Sequence, residues 1–216
     1  TCSVCNKTNG EPLANPLAEL IRERLPITMY ATGLTQYIYG YEDEGDDSKL
    51  YQLTNLPTVV INTEGSQEIV SKEDEISSNV YIISDDGTNL LATTGTGVRG
   101  RGNSTWSFPK KPYRLKFSSK QSPLGAPASA KKWTLLSNYG DKSLLRNITA
   151  FEVSRRVGMS YTPFCHPVDV IVNGEYRGCY QLCDQVEAAE GRVPAKDGYL
   201  IEIDAYAWKE VSAFWS

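Results

Sequence analysis

Short stretches of alternating apolar and polar residues dominate the chain from residue 57 onward, and they predict strands. Clusters of Gly, Asp, Ser and Pro separate these stretches, which is the usual composition of turns. The predicted strands cover residues 58–62, 79–84, 90–99, 112–117, 132–136, 168–172, 177–182 and 198–203. Asn173-Gly174 lies between two of them and is the strongest short signal for a hairpin. This order predicts a mostly antiparallel sheet.

Apolar residues at helical spacing predict two helices. The first covers residues 15–25, close to the start of the chain. The second is capped by Asp141 or Ser143 and ends near residue 157, before Gly158. One face of this second helix is apolar, with Leu144, Ile148 and Phe151. We expect that face to lie against the sheet.

The region before residue 57 has a different pattern. Residues 27–41 are rich in Thr, Tyr and Ile and suit strands, whereas residues 42–47 are acidic apart from one Gly. The acidic run lacks the alternating ligand spacing of a calcium loop, so a hydrated surface loop is favoured. We place a boundary at residues 52–56. It divides the chain into a small N-terminal helix-and-strand extension, residues 1–55, and a larger domain, residues 56–216.

Composition narrows the function classes. The 216 residues are 40% hydrophobic, which is enough to bury a full core, and the formal net charge is -4. A general nucleic-acid-binding protein would carry an excess of basic residues, so nucleic acid is not a predicted partner. No apolar run approaches the roughly 18–20 residues that span a bilayer, and no transmembrane segment is predicted.

The cysteines give no regular framework. They stand at positions 2, 5, 165, 179 and 183, and because five is an odd number at least one thiol should be free. Cys2 and Cys5 have the spacing of metal ligands, but a zinc site needs a second suitable pair. We therefore predict no metal site.

Positive charge is concentrated in residues 98–117, which combine a glycine loop with a strand. The cations of this stretch are Arg99, Arg101, Lys110, Lys111, Arg114 and Lys116. Gly100 and Gly102 would let the backbone approach a ligand closely, and successive N–H groups can form an anion-binding nest. A phosphate would suit this chemistry best. The alternative is a basic surface loop stiffened by prolines.

The strand that ends this stretch has two chemically distinct faces. Side chains alternate between the faces of a strand, so Tyr113, Leu115 and Phe117 share one face. Arg114 and Lys116 share the other. An exposed lysine on a strand is the common case for a position such as Lys116.

Four blocks of the sequence resemble the CotH family, which is named for a spore coat protein with an atypical protein kinase fold. The first block contains Arg-Gly-Asn-Ser-Thr at 101–105 and Pro-Lys-Lys-Pro-Tyr-Arg-Leu-Lys at 109–116. The others cover 133–147, 168–180 and 198–204. They occur in the family's order, which makes the resemblance more specific than a single glycine motif.

The resemblance implies an α+β fold like the small lobe of a kinase, with a mostly antiparallel sheet and one main packed helix. It also implies that the chain holds the N-terminal part of the family's domain, that the C-terminal lobe is missing, and that the catalytic aspartates lie beyond residue 216. The expected activity is transfer of phosphate from ATP with Mg²⁺ to Ser or Thr of a protein. We expect the isolated chain to be inactive.

The nucleotide-binding residues that the resemblance implies come from the loop, the strand, the helix and a hinge-like segment. They are Arg99, Arg101, Asn103, Ser104, Lys111, Arg114, Lys116, Arg146, Asn147, Glu152 and Gln185. Lys116 is the candidate for the lysine on the nucleotide phosphates, with Arg114 or Lys111 as substitutes. Arg146 and Asn147 would hold the loop or the phosphates.

Two of these assignments have open alternatives. Glu152 is either the partner of Lys116, as in kinases, or an ordinary helix residue paired with Arg155 or Arg156. Gln185 matches the family's hinge-like segment. Asp184 stands where the family usually has Glu, which moves the carboxylate by one methylene.

The composition, with 13 Tyr and one His, resembles that of many secreted bacterial surface proteins, and we expect a location outside the cytoplasm or at the cell surface. The family resemblance allows a second function, which is a non-catalytic binding module of the cell surface or of coat assembly. Its partner would be a protein or a glycan, and Trp side chains could stack on a sugar, although Trp133 lies in a stretch typical of a core. The protein substrate of the kinase alternative is not specified by these residues.

Overall fold

The computed structural model describes residues 56–84, 88–195 and 198–201, together with the backbone of two short strands before them. The strands are β1 (Tyr37–Ile38), β2 (Tyr51–Gln52), β3 (Thr58–Thr63), β4 (Ile76–Ile83), β5 (Asn89–Gly100), β6 (Tyr113–Gln121), β7 (Ala130–Leu136), β8 (Cys165–Val172) and β9 (Glu175–Asp184). The helix α1 covers Arg146–Arg156. Short 3-10 turns lie at Glu64–Ser66, Ser104–Ser107 and Pro123–Gly125.

Seven of the strands form a closed barrel in the order β3-β4-β5-β6-β7-β9-β8. All neighbours are antiparallel except β3 and β8, which pair in parallel with Val59 opposite Val170 and close the barrel. Strands β1 and β2 form a separate antiparallel pair. The predicted α+β fold, a kinase-like small lobe with a mostly antiparallel sheet and one main packed helix, is therefore wrong, because the sheet closes into a barrel. Pairing of β3 with β8 joins residues more than 100 positions apart, and the local strand pattern does not reveal it.

The interior of the barrel is filled by the inward-facing side chains of its strands. The fully buried side chains of largest volume include Trp133, Tyr180, Phe117, Ile61 and Ile82. Trp133 has no exposed surface, which confirms its predicted place in the core. Aromatic and branched side chains suit such a core because they fill it densely with few rotatable bonds.

The predicted strands between residues 58 and 182 are present, and most extend further than the pattern indicated. The hairpin at Asn173-Gly174 is confirmed, since these residues have φ values of 51° and 80°, the two positive values of a tight hairpin turn. The Asn173 side chain also fixes the end of β3, because its Oδ1 accepts a hydrogen bond from Thr63 N at 2.9 Å.

Helix α1 does not pack as predicted. It contains no buried residue, and Val153 is 53% exposed. Ile148 and Phe151 are half-buried, and the helix lies near β8. Because the sheet closes on itself, its apolar face is already covered and leaves no open surface for a helix. The N-cap residue is Leu145 and not Asp141 or Ser143 as predicted. The Asp141 carboxylate still accepts from Arg146 N at 3.0 Å and Ser143 N at 3.1 Å.

Some predictions fall outside the described residues. The helix at 15–25 and the acidic loop at 42–47 lie there, and only the two-residue strand β1 represents the predicted strands of 27–41. Residues 198–201, the described part of the last predicted strand, form no strand. The domain boundary at 52–56 stays a prediction. In the described ranges, no helix has the length and apolar character needed to cross a membrane.

Candidate functional site

One end of the barrel collects the connections that carry the sequence motifs. Antiparallel pairing of neighbouring strands brings together the β3–β4 connection, the glycine loop at 101–112, the segment after β7 and the β8–β9 turn. The loop backbone is tied to the β3–β4 connection, since Gly100 N donates to Ser71 O at 2.8 Å and Lys72 Nζ donates to Gly102 O at 3.2 Å. The glycine loop is thus anchored on a neighbouring connection.

The glycines of this loop make room for its own side chains. A Cβ on Gly100 would lie 2.3 Å from the Trp106 ring, and one on Gly102 would lie 2.1 Å from Thr105 Oγ1. Gly102 also has a φ of 87°, which disfavours other residues. The space that the sequence suggested for a ligand's approach is therefore filled by Trp106 and Thr105.

The glycine loop contacts two other family-like blocks. The Phe108 and Tyr139 rings lie 5.3 Å apart between centroids, which joins the loop to the segment after β7. Lys110 Nζ donates to Cys179 O and lies 4.5 Å from the centroid of the Tyr180 ring. Tyr180 in turn donates to Lys111 O at 2.9 Å. Three separate blocks of the sequence are thus brought into contact.

A cluster of charges lies on the outer face of β5 and β6, beside the glycine loop. We call Arg99, Arg114, Lys116 and Glu75 the outer cation cluster. Arg99 faces Arg114 across the two strands. Glu75 contacts both Arg114 and Lys116, with its Oε2 3.2 Å from Lys116 Nζ. Glu75 therefore pairs with two cations, and the third, Arg99, lies beside Arg114, where the charges of Glu73 and Glu75 also act on it.

A glycine in the facing strand makes this arrangement possible. Gly97 lies opposite Lys116, and a Cβ built on Gly97 would lie 2.6 Å from Glu75 Oε2. A larger residue would require the carboxylate to move. A glycine within a strand often marks such a close approach, and Gly97, one of three glycines in β5, is the sequence signal for it at this position.

The charges of the cluster shift one another's pKa values. Burial raises the pKa of Glu75, but hydrogen bonds from Lys116 and Arg114 outweigh burial and hold that pKa below its ordinary value. Burial lowers the pKa of Arg99, and the positive charge of Arg114 lowers it further. Arg114 Nε is buried, and within the described residues it has no hydrogen-bond partner. Because this nitrogen is buried, an added anion would meet the exposed parts of the Lys116 and Arg114 side chains instead.

A cleft of about 850 Å³ opens at the same end of the barrel. Its lining combines aromatic side chains, among them Trp106, Tyr139 and Tyr176, with Lys110, Lys111 and Arg177. Lys111 Nζ donates to Trp106 O at 2.8 Å. Arg177 is paired with Glu175 at 2.9 Å. The cleft is thus an aromatic surface whose cations already contact protein groups.

The predicted site residues of the glycine loop and of strands β5 and β6 lie at this end of the barrel. Arg114 and Lys116 share the outer face of β6, as the alternation predicted, and the pairing of β5 with β6 adds Arg99 to them. The loop residues Asn103 and Ser104 are exposed. Burial lowers the pKa of Arg101, and Lys111 lines the cleft as described above.

The helix residues lie apart from Lys116. Glu152 pairs with Arg155 and, at 2.7 Å, with Arg156, which is the alternative that the sequence left open. The partner of Lys116 is Glu75, a residue that sequence reasoning missed. The structure places Arg146 3.6 Å from Asp141.

Two further predicted residues occupy supporting positions. Asn147 Nδ2 donates to Asn138 Oδ1 at 2.9 Å, which ties the helix start to the segment after β7. Gln185 follows β9 and is half-buried. Neither observation shows a nucleotide-binding role, so the roles of Asn147 and Gln185 stay predictions.

Asp184 has a structural contact that its place in a hinge-like segment did not indicate. Its carboxylate lies 3.3 Å from Arg192 Nε, and both side chains are almost fully buried. Arg192 also contacts Glu187 at 2.7 Å and donates to Lys132 O at 2.6 Å. Asp184 thus helps to hold the segment after β9 against the barrel. In the ranges that the structure describes, no three His, Cys, Asp or Glu side chains gather as a metal site.

Comparison with models of protein families shows to which family the chain belongs. The model of the family described as CotH kinase protein matches residues 98–213, more than half of the chain. The chain belongs to the CotH family. The matched region covers the C-terminal part of the chain and begins at Val98, so it contains the glycine loop, β6, α1 and the β8–β9 hairpin. No curated protein matches the chain.

Proposed function

We propose that this chain is the nucleotide-binding portion of a CotH-type Ser/Thr protein kinase and that the outer cation cluster binds the phosphates of ATP. The family's description as a kinase protein supports the reaction class. The observation that carries the proposal is the concentration of Arg99, Arg114 and Lys116 around Glu75. Phosphoryl transfer depends mainly on positioning and charge neutralisation, which such cations supply.

The chemistry of the cluster fits a polyphosphate. The Arg114 side chain is 20% exposed, and guanidinium groups bind phosphate oxygens through directed, charge-assisted hydrogen bonds. Lys116 has a 48% exposed side chain and can reach a ligand without a change of backbone. Glu75 holds Lys116 and Arg114 in place, in the manner of the lysine–glutamate pair of kinases.

The remaining parts of the proposal concern the ligand. ATP would enter as its Mg²⁺ complex, and the exposed Asn103 and Ser104 lie on the loop next to the cluster. Magnesium would neutralise part of the phosphate charge when bound. The protein substrate would supply a Ser or Thr hydroxyl as acceptor. The phosphate lysine is Lys116 in this proposal, with Glu75 rather than Glu152 as its partner.

Calorimetric titration of Mg²⁺-ATP tests the proposal. We expect Lys116→Ala to weaken binding about tenfold, because it removes a charge-assisted contact. Lys120→Ala is the matched control, since Lys120 is an exposed lysine further along the same strand. Equal affinities of the parent and the Lys116 variant, both folded, would remove Lys116 from the role.

The alternative is a non-catalytic binding module at the cell surface or in coat assembly, and the aromatic cleft favours it. Tyr139 is 48% exposed and could stack on a sugar ring. Under this alternative, Tyr139→Ala would abolish binding to a glycan array. Tyr199→Ala would not, because this 93% exposed residue does not line the cleft. Absence of glycan binding by the parent chain, together with nucleotide binding, would reject the alternative.

A further inference from the structure

Two thiols face each other across strands β8 and β9, and in the strand register Thr134 of β7 separates Cys183 from Arg114 of the outer cation cluster. Cys165 and Cys183 are register partners in this antiparallel pair, and both are free cysteines. Cys183 is 2% exposed, whereas Cys165 is half-buried and open to small reagents. Side chains of register partners project from the same face of a sheet. The two sulfur atoms are therefore neighbours.

The hydrogen-bond pattern shows which kind of position the pair occupies. Asp184 N donates to Phe164 O at 3.1 Å, so this neighbouring pair is hydrogen-bonded. Hydrogen-bonded and non-hydrogen-bonded pairs alternate along antiparallel strands, which makes Cys165 and Cys183 a non-hydrogen-bonded pair. Pro167, two residues along β8, occupies the same kind of position. Its lack of an N–H costs no ladder hydrogen bond there.

This position suits a covalent link. Cα atoms of non-hydrogen-bonded partners lie about 4.5 Å apart, and disulfides span Cα separations of about 4.4–6.8 Å. A bond between the two sulfur atoms therefore requires little movement of the backbone. Cys179 lies four residues earlier on β9, where it faces Asp169 rather than a cysteine.

The surroundings also assign different roles to the two thiols. A hydrogen bond from the Cys183 thiol, helped by the charge of Arg155, lowers the pKa of Cys165. The same hydrogen bond and burial raise the pKa of Cys183. Cys165 is thus the thiol that ionises first and attacks, since the thiolate is the nucleophile in thiol–disulfide exchange.

We propose that Cys165 and Cys183 form a reversible cross-strand disulfide, with a small-molecule disulfide as the oxidant. The Cys165 thiolate attacks one sulfur of the oxidant, forms a mixed disulfide and releases one small thiolate. The Cys183 sulfur then loses its proton to solvent and attacks Cys165 Sγ, which releases the second small thiolate. The two cysteines are oxidised and the small disulfide is reduced to two thiols.

The link would join the start of β8 to the end of β9. Cys183 precedes Asp184, the residue that contacts buried Arg192, so the link lies beside this ion pair. The disulfide would close the loop between Cys165 and Cys183 and so restrict the conformations of the unfolded chain. We therefore expect the melting temperature to rise by about 5–10 °C. The inference does not depend on nucleotide binding.

Peptide mapping by mass spectrometry after incubation with oxidised glutathione tests the proposal. The full 216-residue chain is treated under native conditions, its remaining thiols are blocked with N-ethylmaleimide, and it is then digested without reduction. We expect a cross-linked peptide that contains Cys165 and Cys183, and dithiothreitol should abolish it and reverse the rise in melting temperature.

Variants separate this pair from the other thiols. Cys179→Ser should retain the cross-link, and Cys165→Ser should lose it. A folded parent chain in which both cysteines remain blocked by N-ethylmaleimide, or carry separate glutathione adducts, would overturn the proposal. A link from Cys183 to Cys179 would overturn it as well. Peptide mapping of the parent chain alone gives a decisive result, even if the Cys165→Ser variant does not fold.

Discussion

The two faces of strand β6 differ completely in environment although they alternate residue by residue. On the inner face, Tyr113, Leu115 and Phe117 are 5%, 0% and 1% exposed. On the outer face, the side chains of Arg114 and Lys116 are 20% and 48% exposed. The inner face contributes to stability by burying apolar surface, whereas the outer face presents charge. The inner face of β6 therefore supports the fold and the outer face carries the residues proposed to bind phosphate. Substitutions on the two faces should have different effects.

The largest expected effect belongs to the inner face. Leu115→Ala should lower the free energy of unfolding by about 2–5 kcal/mol, because it removes fully buried atoms and leaves a cavity. Denaturant unfolding measures this change. Lys116→Ala on the other face is the control, which should stay within about 1 kcal/mol. Equal losses for the two variants would contradict the division between the faces.

A smaller, pH-dependent effect is expected from Glu75 on the outer face. Its folded-state pKa lies below the ordinary value of 4.5, so its contribution is present above that value and is lost as the pH falls through the folded pKa. Glu75→Gln should be about 1 kcal/mol less stable than the parent at neutral pH. The difference should shrink below about pH 4.5. Unfolding curves across this range measure it, and a constant difference would exclude the linkage.

The smallest effect is expected from Glu152. Its carboxylate is held by Arg155 and Arg156 of the same helix, so Glu152→Ala should leave the affinity for Mg²⁺-ATP unchanged. Calorimetric titration beside Lys116→Ala provides the comparison. An equal loss of affinity in the two variants would restore Glu152 to the role that the family resemblance implied.

The alternation of apolar and polar residues predicted the strands and both faces of β6, because this information is local. The closure of the barrel was not predictable from it, since β3 and β8 have no local signal of their pairing. The prediction that the helix packs against the sheet was wrong for the same reason. The closed sheet leaves no broad apolar face open, so Ile148 and Phe151 of α1 are only half-buried, in a helix that lies near β8.

The candidate site shows the same limit. The sequence predicted that Arg114 and Lys116 share one face of a strand, and the structure adds Arg99 from the neighbouring strand. The sequence did not predict Glu75, which is 41 residues from Lys116 in the chain. Family resemblance suggested a helix glutamate instead, but in this barrel the nearer carboxylate comes from the residue before β4.

Amide chemical-shift mapping during titration with Mg²⁺-ATP tests the central claim most directly. We predict that the largest changes occur at Gly97, Arg99, Arg114 and Lys116, on the outer face of β5 and β6. Changes confined to the cleft around Trp106, or no changes in the folded chain, would contradict the proposal that the outer cation cluster binds nucleotide phosphates.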